Sequence, residues 1–380
     1  RLLDAPTASS PSAWSITAGT PLYVTELGNW PAKVGAANQF VRVRTFAFKE
    51  GYVSGALLAL PGSVDARARV SDVALPFGDC AWLYGLHDPY DRGLFAYTGK
   101  TGWVLFTERV TSETGNPAYR EWSEASYFGV IARLNNDYGG TGTIPVPSEY
   151  DRFAAQCAAW VQKSPGCHVW VIGNEMNNPR EWPEEGRRPD LMITPEGYAD
   201  CFNRVRAAIK AAQPGAVVVP GAVDPFQGPS VSSLDWFRRM LAGIRDLDGI
   251  ALHCYTHGYT PDLVTDLARF QDDPLRWQYY HFRCYTTFLD VIPPLWRNRP
   301  VYITETDPTG SQPWSGGQNG WTAAAYAEID RWNRQPYSQQ IQALILYRWS
   351  RDDPYSISDK PGVQNDIRAV AQGTDWRWRK

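Results

Sequence analysis

Two glutamates in this 380-residue chain stand at the ends of short apolar runs rich in Val, Ile and aromatics. The run Val169 to Gly173 leads into Asn174 and Glu175, and the run Val301 to Thr304 leads into Glu305. A lone Glu at such a place is ordinarily solvated or ion-paired, but two facing one mouth are a different case. If their protonation states differ, one can give a proton to a leaving group while the other attacks the atom it leaves. A third run ends His253-Cys254-Tyr255-Thr256-His257, and strand alternation places His253, Tyr255 and His257 on one face. Two His four residues apart on a strand lie about 13 Å from each other, so no metal site is expected there. Further polar groups end other runs: Arg133, Asn135 and Asn136; Arg109 after Glu108; His87 and Asp88; and Arg348-Trp349-Ser350.

The elements that must position these residues are eight runs. They are Ala81 to Leu86, Trp103 to Thr107, Tyr127 to Leu134, Val169 to Gly173, Ala216 to Gly221, Ile250 to Tyr255, Val301 to Thr304 and Ala343 to Tyr347. Segments of helical period separate them, with start and stop signals: Thr194 as N-cap before Pro195, Ser148 before Glu149, and Pro214-Gly215 closing a helix of Ala and Arg. Alternation of strand and helix eight times predicts a (β/α)8 TIM barrel over 75–380, whose active sites lie at the C-terminal strand ends. The carboxyls fall on the fourth and seventh of those ends. Residues 1–70 read instead as a small β-rich module, with runs at Leu22 to Thr25, Gln39 to Phe48 and Tyr52 to Ala59, and Pro61 to Pro76 as the connector. Trp30 to Val34, Phe40 to Arg44 and Gly51-Tyr52-Val53 give it a resemblance to a bacterial SH3-like module; an extra sheet packed on the barrel fits equally well.

With its carboxyls so placed, the chain resembles glycoside hydrolase clan A, the retaining barrel glycosidases whose acid/base Glu follows an Asn on strand four and whose nucleophile Glu ends strand seven. The resemblance implies Glu175 as acid/base and Glu305 as nucleophile. It implies that Tyr255 orients Glu305, that His253 lines the same pocket, and that Trp349 forms the floor of the sugar subsite. Asn174 would bond the sugar 2-hydroxyl, which matters more as charge develops at the ring. Arg133, Asn135 and His87 are further candidates for holding substrate or nucleophile, and either Arg109 or Arg133 is open to a purely structural ion pair. Gly173-Asn174-Glu175-Met176 is similar to family 51, the His-x-Tyr and Trp pattern to family 5, and the overall organisation to family 39. No cofactor is implied. The alternatives are a non-catalytic carbohydrate-binding or cell-wall-associated barrel, and a transglycosylase using the same site.

Composition narrows the remainder. With 43% hydrophobic and 20% charged residues, disorder, collagen and coiled coil are excluded. The longest apolar candidate, Tyr52 to Leu60, is too short for a membrane span of about 18 to 20 residues. Lys and Arg total 37 against 40 Asp and Glu, so no basic footprint for nucleic acid exists. The partner is expected to be carbohydrate, without nucleic acid or membrane, and the chain a monomer. The 17 Trp, 20 Tyr and 14 Phe can stack on sugars or fill a core. A secreted or extracellular location is expected, although this sequence carries no signal peptide. No G-x-S-x-G elbow, P-loop or HExxH occurs. Six cysteines without a CxxC pair are compatible with a disulfide or two or with buried thiols. The Gly-rich stretch Tyr138 to Gly142 and the segment Asp307 to Trp321, with Trp314, Gly316 and Gly317, read as mobile loops at the mouth. Glu184, Glu185, Arg187 and Arg188 either bound a cleft or are solvated.

Overall fold

The computed structural model of the chain describes residues 2–10, 12–14, 22–26, 29–44, 50–58, 80, 82–89, 100–227, 231–276, 278–310, 313, 314, 317, 319–335, 338–350 and 353–378. At the N-terminus, β1 (Leu2–Leu3), β2 (Ser12–Trp14), β3 (Tyr23–Val24), β4 (Phe40–Arg44) and β5 (Glu50–Ser54) form an antiparallel sheet in the order β2-β1-β5-β4-β3. Alternation in β4 buries Val41 and Val43, which meet Leu2 and Val53 in a separate small cluster. The run expected from Tyr52 to Ala59 ends as a strand at Ser54 and continues as a 3-10 turn, Gly55–Leu57. The connector Pro61 to Pro76 lies outside the described residues.

The larger sheet consists of β6 (Tyr84–His87), β7 (Trp103–Arg109), β8 (Gly129–Asn135), β9 (Val169–Ile172), β10 (Val217–Pro220), β11 (Ile250–His253), β13 (Val301–Thr306) and β15 (Ile341–Leu346). All its pairings are parallel, in the order β10-β9-β8-β7-β6-β15-β13-β11. The two ends of this order meet where the Asp248 N–H donates to the Val218 carbonyl at 3.1 Å, so the sheet nearly closes into a (β/α)8 barrel. Helices 119–126, 150–162, 195–212, 233–243, 284–291, 321–333 and 361–373 follow the strands from β7 onward. A two-residue ladder, β12 (Thr256–His257) with β14 (Pro308–Thr309), extends the sixth and seventh strands beyond the barrel.

Period-two alternation sorts the side chains into two layers. Trp103, Leu105, Ile131, Val169, Val171, Val219, Ala251, Tyr302, Ala343 and Ile345 fill the lumen. Their neighbours Val104, Val130, Ala132, Trp170, Ile172, Leu252 and Leu344 face the helices and join the main core. Trp103 and Tyr302 meet edge to face, 5.6 Å between centroids. Gly129 is required beside them, since a Cβ there would lie 2.4 Å from the Trp103 ring.

Several element boundaries differ from expectation. The first barrel strand starts at Tyr84 rather than Ala81, because Trp82 and Leu83 pair instead with the C-terminal residues Arg377 and Trp376. Tyr127 is left-handed (φ +60) and ends the preceding helix, delaying the third strand to Gly129. Ser148 caps nothing: it lies in a 3-10 turn, Pro147–Glu149, that runs into the helix from Tyr150. Thr194 does cap, accepting from the Gly197 N–H at 3.0 Å ahead of Pro195. No disulfide forms: all six cysteines are buried free thiols. Among the described residues no helix is long and apolar enough to cross a membrane.

Candidate active site

The same alternation that fills the lumen delivers a polar ring to its C-terminal rim. Continuing inward from Ile131 comes Arg133; from Leu105, Thr107; from Gly85, His87; from Ala251, His253; and from Ile345, Tyr347. Glu305 breaks the pattern set by Tyr302 and reaches the mouth through a bulge. Between Ile303 and Thr306, β13 spends three steps where β15 spends two, and His253 on β11 pairs with Glu305 directly after Leu252 pairs with Ile303. The extra residue re-aims the carboxyl into the barrel. Glu175 comes from beyond β9 by a different device. Gly173 (φ +76) and Glu175 itself (φ +41) are both left-handed, a conformation that costs a non-glycine residue about 1–3 kcal/mol. Bonds from the Glu175 N–H to the Ala222 carbonyl (2.8 Å) and from the Asn178 N–H to the Glu175 carbonyl (2.7 Å) hold it there.

Glu305 is 5% exposed. Arg133 Nη1 donates both to Glu305 Oε1 and to Asn174 Oδ1 (2.6 Å), while its Nε donates to Thr107 Oγ1 (3.1 Å). The Tyr255 hydroxyl donates to Glu305 Oε2 at 3.0 Å. His87 Nε2 lies 3.6 Å from Glu305 Oε1 and its Nδ1 lies 3.0 Å from Asp88. On the other carboxyl, Glu175 Oε1 sits 2.8 Å from His253 Nδ1 and 3.4 Å from the Tyr255 hydroxyl. Tyr255 therefore touches both carboxyls.

These surroundings drive the two acids apart. Burial pushes Glu305 up, but the positive charges of His253, Arg133 and His87 outweigh it and hold its carboxyl down at about 2. His253 is itself pulled down to about 4 by burial, so towards neutral pH the charge of Arg133, which bonds Glu305 directly, outlasts that of His253. Glu175 moves the other way: burial first, then the charge of Glu305, raise it to about 8, against smaller opposing effects of Arg133, Asn178 and Tyr255. Near neutral pH one carboxyl is ionised and its partner protonated. Burial followed by the charges of Glu305 and Glu175 keeps the Tyr255 phenol protonated, able to donate.

Of the residues singled out from sequence, Glu175, Glu305, Asn174, His253, Tyr255, Arg133 and His87 converge on this spot. Trp349 does not join their hydrogen-bonded set: it is 9% exposed, its ring packs in the main core, and its backbone N–H donates to the His87 carbonyl. Tyr347 meets the site instead, edge-on to His87 at 4.9 Å. Asn135 is fully buried, with neither amide atom partnered among the described residues. Asn136 serves structure, taking the Thr111 hydroxyl and donating to the Thr141 carbonyl. Arg109 is an exposed partner of Glu113, so the ion-pair reading holds for it, while Arg133 binds Glu305. His257 turns away, its Nδ1 2.6 Å from the Tyr280 carbonyl and its ring stacked on Tyr280 at 4.1 Å. Glu184, Glu185, Arg187 and Arg188 are exposed and form local ion pairs. Gly139–Thr141 is a 3-10 turn, and Gly142 packs on Pro183. Trp314 and Trp321 are buried and meet edge to face, Trp321 opening a helix; Gly316 lies outside the described residues.

Three further carboxyls of the site were missed. Glu181 accepts from Asn174 Nδ2 at 3.4 Å, and Asp224 accepts from Asn178 Nδ2 at 3.2 Å. Burial and then the charge of Glu175 raise each to about 7. Asp307 is 1% exposed, and neither of its oxygens has a hydrogen-bond partner among the described residues; burial, then Glu305 and Glu175, push it well up. Asp307 was within reach of sequence reasoning, two residues past Glu305. Glu181 ends a short 3-10 turn and Asp224 lies in a loop, and no periodicity marks either.

Glu175, His253 and Glu305 bring potential metal-ligand atoms within 4.8 Å of one another. Arg133 already supplies a cation to Glu305, and Tyr255 and His253 occupy the facing oxygens, so hydrogen bonds account for the arrangement without an ion.

No family model and no curated protein matches the sequence. Solved structures do match the fold. One is a family 39 glycoside hydrolase from the gut symbiont Bacteroides cellulosilyticus WH2, with a TM-score of 0.51 and 13% identity over 88% of this chain and 70% of that one. Another is GH5_18 from Streptomyces cattleya in complex with GlcNAc, with a TM-score of 0.50 and 14% identity over 77% of this chain and 79% of that one. The resemblance to clan A glycoside hydrolases thus extends to the three-dimensional fold.

Proposed function

We propose that this protein is a retaining glycoside hydrolase acting on β-linked sugars, with Glu305 as nucleophile and Glu175 as acid/base. The observation that carries the reading is a pair of carboxyls, Glu305 buried and Glu175 mostly so, whose facing oxygens lie no more than 4.8 Å apart and of which only Glu305 is paired with Arg133, a difference that separates their pKa values. Retaining enzymes hold the two at about 5–5.5 Å and inverting ones at about 6.5–9.5 Å, leaving room for a water. The fold of glycoside hydrolases and the strand positions of both residues support it.

In the first step Glu305, kept ionised by Arg133 and steadied by Tyr255, attacks the anomeric carbon. The Glu175 proton passes to the departing oxygen. Forming the glycosyl ester removes the negative charge at Glu305, and with it the repulsion that had held the Glu175 proton. Glu175 then persists as a carboxylate and takes a proton from the water that attacks the ester, regenerating both starting states. Asn174, its Oδ1 fixed by Arg133, bonds the sugar 2-hydroxyl. The test is hydrolysis of a panel of aryl β-glycosides and β-linked oligosaccharides, with proton NMR of the first-formed anomer. A β-anomer is expected. An α-anomer formed first rejects retention, and no turnover of any substrate rejects the hydrolase reading.

A further inference from the structure

Glu181 has no part in that two-step scheme, yet it is built into the mouth. It ends the 3-10 turn Pro179–Glu181 and is partly buried. The orientation of Asn174 is dictated by chemistry: Oδ1 receives Arg133 Nη1, so the amide nitrogen must face an acceptor, and that acceptor is Glu181 Oε1 at 3.4 Å. Thr143, 1% exposed, fastens both residues. Its Oγ1 accepts from the Asn174 N–H (2.7 Å) and its own N–H donates to the Glu181 carbonyl (2.8 Å). Asn174 and Glu181 therefore form one wall beside the Arg133–Glu305 pair. A sugar whose 2-position meets Asn174 brings its C2 substituent against the Glu181 carboxyl as well.

We propose that Glu181 is a substrate-binding residue of this site, accepting a hydrogen bond from the C2 substituent of the sugar being cleaved, and that it suits the mouth to an ammonium there as well as a hydroxyl. The inference rests on the glycosidase reading above and extends it to substrate class. The shortage of hydrogen-bond donors in the mouth favours a donor-rich substituent such as an ammonium. Glu175, Glu181, Asp224, Glu305 and Asp307 share the mouth, while Arg133 is committed to Glu305 and Arg348 is held between Asp88 (3.2 Å) and Asp353. Asp307, buried and without a hydrogen-bond partner among the described residues, shows that the carboxyls exceed the donors that could satisfy them. A 2-amino sugar would supply a charged donor, and a hydrogen bond with both partners charged is stronger than one from a hydroxyl.

The experiment compares kcat/KM for three aryl β-glycosides of the hexose that the wild type turns over best: the parent, its 2-amino-2-deoxy analogue and its 2-deoxy analogue. Each is assayed with wild type, Glu181→Gln and Glu181→Asp, and thermal unfolding checks that each variant is folded. The expected loss on Glu181→Gln is about 100-fold for the amino sugar, about 10-fold for the hydroxyl sugar and least for the 2-deoxy sugar. Glu181→Asp, which keeps a carboxyl, should show the same ordering at smaller amplitude and answers the question should the Gln variant not fold. An equal loss on all three overturns the proposal while leaving the hydrolase reading standing, because a structural role cannot distinguish the C2 substituent. Turnover of the parent with none of the amino sugar overturns the ammonium claim. No turnover of any substrate by the wild type removes the reading beneath it, and the proposal with it.

Discussion

Replacing Glu305 by Gln removes one negative charge while keeping the shape of the side chain, and its first consequence should appear at Glu175. Facing oxygens of the two carboxyls lie at most 4.8 Å apart. At an effective dielectric constant of about 20, two unit charges at that distance repel by about 3.5 kcal/mol. That energy corresponds to about 2.5 units of pKa. Glu175 stands at about 8, with burial the larger cause and Glu305 the next, so Glu305→Gln should bring it down to about 5.5. Arg133, freed from its carboxylate, acts in the same direction. The assay is a carbon-13 NMR titration of protein labelled at the Glu carboxyl carbon, with Glu175→Gln/Glu305→Gln assigning the resonance. A Glu175 midpoint that stays within half a unit of the wild type, or rises, would refute the coupling on which the acid/base cycle depends.

Two further outcomes follow from the same electrostatics. Glu175 binds a proton in the folded state between about 4.5 and about 8 that the unfolded chain releases, so its burial erodes stability as pH rises through that window. Glu175→Gln should therefore raise stability at pH 8 by about 2–4 kcal/mol and leave it unchanged near pH 4, as read from urea unfolding at both values. Glu305 is the opposite case: its depressed pKa contributes stability above about 4.5 that disappears as pH falls toward 2. Arg133→Met strands that buried carboxylate and should cost about 3–5 kcal/mol near neutral pH, while the acid limb of kcat/KM moves upward. Unfolding curves and a pH–rate profile check both.

The barrel was legible because its two periodicities are strong. Val169, Val171, Ala343 and Ile345 face the lumen while Trp170, Ile172 and Leu344 face the helices, so each run declares itself as a strand buried on both faces. Both glutamates were visible because they directly follow such runs. What alternation could not supply was their aim. Glu305 depends on a bulge in β13 and Glu175 on two left-handed residues, and neither departs from ordinary composition. Tyr347 rather than Trp349 reaches the mouth because the parity of Ala343 and Ile345 carries on to 347, whereas Trp349 lies past the strand end and packs into the core. Glu181 and Asp224 enter from loops whose course is set by tertiary bonds, through Thr143 and Asn177 respectively. The cysteines were left open between bridges and buried thiols because spacing along the chain says nothing of separation in space; each of the six is a buried free thiol.

The most direct test of the central claim is azide rescue of Glu175→Ala on an aryl β-glycoside whose leaving group needs no proton. Glu305 should still form the glycosyl-enzyme, which then waits for want of a base. Azide needs no base, so it should raise turnover at least about tenfold and yield the β-glycosyl azide, while Glu305→Ala should never yield that β-product. Glu175→Ala that is indifferent to azide, or that yields the α-azide, would contradict the assignment of Glu305 as nucleophile and Glu175 as its acid/base partner.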